Sequence, residues 1–174
     1  SLSLFAIVGT SSAAITEDIN LYGASAQFNL WKTYAVPYMK SQGCVEPCSA
    51  VQVDSKNFIA SCVCDSVTRY FRSSSKASFD GVCALMGNFI NVPPYGPAGN
   101  PNCSTGCNGD AHKRLMANTA GTAADQCVTV TVAGSDVPVE CFAQESHGVL
   151  LGPCGGAGTN RNFKTSPMFW TGDD

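Results

Sequence analysis

The sequence predicts a disulfide-stabilised α/β domain, a mixed sheet with a substantial parallel part and flanking helices. Three observations carry this expectation. Segments rich in β-branched and aromatic residues alternate with stretches of helical apolar spacing, the pattern of strands joined through helices. The 174 residues are 44% hydrophobic, and a chain of that length buries enough surface to build a core of its own. Ten cysteines, an even number, add to that core without replacing it.

Residues 1–14, SLSLFAIVGTSSAA, are set apart from the domain at 15–174. An apolar run followed by small residues has the form of a secretory h-region with its exit. Leu4, Phe5, Ile7 and Val8 are also the candidate assembly residues. If the segment is kept, apolar side chains of that size need cover. They pack either on their own domain or into a neighbouring subunit as an added strand.

Asp18–Gly23 alternates as a short strand, and Ala26–Lys40 follows with Phe28, Trp31, Ala35 and Tyr38 near helical spacing. Pro37 is expected to bend or end that helix. Ser49–Asp54, Phe58–Val63 and Val67–Phe71 read as strands between polar turns. Lys76–Met86 reads as a helix with Phe79, Val82, Cys83 and Met86 on one stripe. Asn91–Gly109 is rich in proline and glycine and reads as a loop. A short helix is expected over Asp110–Asn118, then the strongest strand of the chain, Gln126–Ala133. Asp136 before Pro138 has the form of a helix start. Gly148–Asp174 is glycine-rich and aperiodic.

Only 13% of residues are charged, against about 25% in ordinary soluble domains. The surface is therefore dominated by small and uncharged polar side chains. A net charge of −3 argues against a nucleic-acid partner. No apolar run reaches the length of a membrane span. Cys44, Cys48, Cys62, Cys64, Cys83, Cys103, Cys107, Cys127, Cys141 and Cys154 lack zinc-ribbon spacing, and His112 and His147 are the only histidines. No metal or cofactor is expected. Paired cysteines imply an oxidising compartment and a secreted protein, with the connectivity open. There is no G-x-G-x-x-G between strand and helix and no G-x-S-x-G, so a nucleotide enzyme and a triad hydrolase are not indicated.

Chemistry concentrates at three strand-to-helix junctions: Gly23–Phe28 (GASAQF), Ser73–Ser78 (SSSKAS) and Gly134–Pro138 (GSDVP). Ligands of open α/β sheets bind beyond the carboxyl ends of strands, where helix N-termini present free N–H groups to anions. The order GASAQF, SSSKASFDGVCALMG, GSDVP resembles the phosphate-binding substrate-binding proteins of bacterial ABC transporters, in particular their cysteine-containing secreted relatives. Ser25 stands where that family has its second glycine and Gln27 where it has a hydroxyl residue. The resemblance runs from about Ile19 to Gly158 and covers the family's first lobe only. It implies one lobe of a type II periplasmic-binding-protein fold and a half-site for phosphate or another oxyanion. Ala26, Gln27 and Phe28 would hold the anion with Ser74 or Ser75, and Asp136 would accept a proton-bearing phosphate oxygen.

The expected function is thus a secreted, non-enzymatic oxyanion-binding module, completed by a second-lobe chain. The alternative is a structural subunit of an extracellular filament or surface assembly that uses Leu4, Phe5, Ile7 and Val8 for self-assembly.

Overall fold

β1 (Ile19–Ala24) is an inner strand of a five-stranded sheet. The computed structural model describes residues 15–76, 78–85, 87 and 104–135. After β1 the chain forms a 3-10 turn (Ser25–Gln27), α1 (Phe28–Ser41), β2 (Val45–Gln52), β3 (Asn57–Cys64), β4 (Val67–Lys76) and α2 (Ser78–Leu85). β5 (Lys113–Met116), β6 (Gln126–Thr129) and β7 (Val132–Gly134) follow. The large sheet has the order β2-β3-β4-β1-β7, and β5 pairs with β6 separately. β1 runs parallel to β4 and to β7, whereas β2, β3 and β4 form an antiparallel meander. The expected α/β class and mixed sheet with flanking helices are present.

Alternation along the strands divides the core in two. On one face α1 buries Phe28, Ala35 and Met39 against Phe58, Ala60, Cys62, Cys64 and Phe71. Tyr22 lies on the other face with Ala84 of α2, Met116 and Val130. The helix runs through Pro37 to Ser41, so Pro37 does not end it. Pro37 removes one backbone hydrogen bond, but Ala35 and Met39 on either side of it are fully buried, and that packing holds the helix.

Four further segments differ from expectation. β4 does not end at Phe71 but continues through Arg72-Ser73-Ser74-Ser75-Lys76, so the serines lie in the strand and not in a junction loop. Residues 110–118 do not form a helix. Their centre is β5, whose Arg114 and Met116 point inward while Leu115 is exposed. Gln126–Ala133 is two strands: β6 pairs antiparallel with β5, and β7 pairs parallel with β1. The chain changes sheets where Val130 N–H donates to His112 and Thr131 N–H donates to the Asn20 carbonyl. β2 begins at Val45, four residues ahead of the expected Ser49.

Disulfides Cys44–Cys64 and Cys48–Cys62 tie β2 and its entry to β3, and Cys107–Cys127 ties β6 to the turn before β5. Cys83 is also disulfide-bonded. These bonds are consistent with an oxidising compartment. Cys103, Cys141, Cys154, Asp136, Leu4, Phe5, Ile7 and Val8 lie outside the described residues. Among the described residues no helix is long and apolar enough to cross a membrane.

Candidate functional site

The parallel part of the sheet brings the carboxyl ends of β4, β1 and β7 side by side. Gly23 is in register with Ser75 on one flank and with Gly134 on the other, and Ala24 is in register with Lys76. The approach to β7 is close: a Cβ on Gly23, whose φ is +136°, would stand 2.2 Å from the Gly134 carbonyl oxygen. Glycine is required there by contact and by backbone conformation alike.

From Ala24 the chain turns through Ser25-Ala26-Gln27 into α1, and Phe28 N–H donates to the Ser25 carbonyl. Phe28 is buried and anchors the turn in the α1-side core, while Ser25 and Ala26 are exposed. The first turn of α1 carries neither an acidic residue nor a side-chain cap. Its positive dipole end is therefore not offset by a carboxylate of its own. The half-buried Gln27 folds back over β7, and a Cβ on Gly134 would meet its Oε1 at 2.9 Å.

Of the residues expected to hold an oxyanion, Ala26, Gln27, Phe28 and Ser75 lie along this edge. Ser75 is half-buried at the end of β4, and its N–H donates to the Lys56 carbonyl at 2.7 Å. Ser74 points to the opposite face of the sheet, where its hydroxyl, fully buried, bonds to Asn57 Oδ1 at 2.5 Å. Lys76, exposed at the tip of β4, is a cation at this edge that sequence reasoning placed only as a helix start. Its position becomes visible once β4 is known to extend to it.

Beneath the edge, on the α2 side, lies a polar cluster that the sequence did not reveal. Gly81 of α2 packs so closely on β1 that a Cβ there would stand 2.0 Å from the Tyr22 carbonyl oxygen. This contact sets the buried Asp80 beside Tyr22. Asp80 Oδ1 accepts Ser104 N–H at 2.9 Å and faces Arg114 Nη2 at 3.5 Å, with both side chains almost fully buried. Burial first, then the Asp80 charge and a hydrogen bond to it, push the Tyr22 hydroxyl well above its ordinary value, and Arg114 opposes them. Tyr22 therefore stays protonated and donates to Asp80. The three groups belong to β1, α2 and β5, far apart in sequence, and no local motif joins them.

Among the described residues no group of three metal-ligating side chains comes together. Compared with protein-family models, curated proteins and solved structures, the chain matches none of them.

Proposed function

We propose that the protein is a secreted, non-enzymatic oxyanion-binding module, one lobe of a type II periplasmic-binding-protein-like site that a second chain completes. The observation supporting this reading is the alignment of the ends of β4, β1 and β7, with the uncapped start of α1 rising from the middle strand. The chain leaving β1 passes through the Ser25–Gln27 turn into α1, so the start of that helix stands at the carboxyl ends of the strands, the end at which open α/β sheets bind ligands. Backbone N–H groups of Ala26 and Gln27 and the Gln27 carboxamide supply neutral donors there, and Lys76 supplies charge nearby. A lobe without its counterpart leaves an anion open to water, so affinity for phosphate alone falls in the millimolar range.

The test is an amide NMR titration of the full chain with phosphate, with chloride as control. Saturable shifts at Ala26, Gln27, Phe28 and Ser75 that chloride does not produce are expected. Shifts absent from these residues, or reproduced by chloride, would sink the proposal.

A second reading, a subunit of an extracellular assembly, is favoured by β2. This strand lies at the sheet edge and is exposed along most of its length, including Val45 and Val51. Such an edge is a template for pairing with another chain, and sedimentation velocity across a concentration series distinguishes the two.

A further inference from the structure

Helix α1 carries an apolar stripe that stays largely outside the core, with only Tyr38 at its foot packing edge-on against Trp31 and Phe71. Leu30, Tyr34 and Tyr38 follow one another at four-residue spacing, one above the next on a helix surface. They are 50%, 54% and 37% exposed, whereas α1 buries Phe28, Ala35 and Met39. Three large side chains in a row form a patch and not a scatter of single exposed residues. At the end nearest the start of β1, Tyr38 and Gln42 share a shallow groove with Ile15, Thr16 and Asp18.

Ile15 is buried in the α1-side core and lines that groove beside Tyr38. The chain preceding Ile15 therefore departs from the foot of the stripe. It contains Leu4, Phe5, Ile7 and Val8 and no charged residue at all from 1 to 14. Phe5 stands ten positions ahead of Ile15. Extended, that stretch reaches roughly 33 Å, while the stripe from Leu30 to Tyr38 occupies roughly 12 Å of helix. A tether this short holds the segment at an effective concentration on the order of millimolar, which favours the stripe of its own chain over that of a second copy.

We propose that residues 4–8 dock in cis along the outer face of α1, on Leu30, Tyr34 and Tyr38, and cover that stripe. The segment is then a built-in partner of the domain, and its apolar side chains are withdrawn from other surfaces.

The experiment replaces the exposed Tyr34 by p-benzoylphenylalanine in the full chain. After irradiation, the expected main product has the mass of a monomer and joins residue 34 to a peptide within 1–14. The double variant Phe5→Asp/Ile7→Asp in the same background is expected to lower the yield of that product about tenfold or more. A covalent dimer as the main product, a crosslink to another segment, or a yield unaffected by the double variant would overturn the proposal.

Discussion

Arg72 on β4 donates Nη1–H to Asp18 Oδ2 at 2.9 Å, with its own side chain only 1% exposed and that of Asp18 33% exposed. The same guanidinium donates to the Ala117 carbonyl through Nε at 2.9 Å and to Asn20 Oδ1 through Nη1 at 3.1 Å. Asp18 in turn accepts Tyr70 N–H through Oδ1. One buried cation thus joins the entry of β1, the middle of β4 and the chain beyond β5, which holds the small ribbon against the large sheet.

Arg72→Met is expected to lower stability by about 2–3 kcal/mol. It leaves the Ala117 carbonyl without this donor, but Asp18 keeps some access to water, which places the cost at the lower end for a broken buried pair. Urea unfolding checks it, read as a lower midpoint at unchanged slope. A loss within about 0.5 kcal/mol, the range of ordinary surface substitutions, would contradict the role assigned to the cluster.

Gly23→Ala and Gly134→Ala separate a backbone clash from a side-chain one. A methyl at 23 meets the Gly134 carbonyl at a φ of +136°, so neither partner can yield without parting β1 from β7. A loss of at least about 2 kcal/mol is expected, with faster hydrogen exchange in β7. A methyl at 134 meets the end of the Gln27 side chain, which can swing away, so the cost there is smaller. Equal effects of the two substitutions would count against the close approach of the strands.

Joint replacement of Cys48 and Cys62 by serine is expected to cost about 2–4 kcal/mol, because the bond closes a loop of 14 residues in the unfolded chain. Exchange should rise first in β2, which among the described residues pairs only with β3. Exchange rising first in β1 would be inconsistent with that order.

The legible parts of the fold are those whose signals are local. β1, β3 and α1 follow from alternation and helical spacing, and their observed bounds lie within two residues of the expected ones. The tail of β4 was not legible, because Arg72 and Ser74 read as loop residues until Asp18, Asn20 and Asn57 are placed beside them. Residues 110–118 carry helix formers, but pairing with β6 and the Cys107–Cys127 bond override that preference. The unbroken β-forming run at 126–133 hides a change of sheet decided by two distant carbonyls, those of His112 and Asn20. At the candidate site, the meeting of three strand ends follows from the strand–helix order. The Tyr22–Asp80–Arg114 cluster does not, since tertiary packing alone brings those residues together.

That cluster predicts how the protein responds to alkali. Burial foremost, then the charge of Asp80 and the hydrogen bond to it, hold the Tyr22 hydroxyl protonated far above the ordinary tyrosine value of 10.0. Above pH 10 the unfolded chain therefore loses a proton that the folded chain retains. By linkage, the contribution of Tyr22 is fully present below that pH and declines as pH rises above it. The expected outcome is cooperative alkaline unfolding in which tyrosinate absorbance from Tyr22 emerges together with the loss of structure, not before it. Tyr22→Phe removes the ionisable group and one hydrogen bond to Asp80. Its stability at neutral pH should fall by about 1 kcal/mol, while the decline of stability above pH 10 becomes shallower than in the unsubstituted protein. Denaturant melts at a series of pH values measure both quantities. An unchanged slope above pH 10 would mean that Tyr22 reaches water in the folded state, and the buried pair with Asp80 would have to be abandoned.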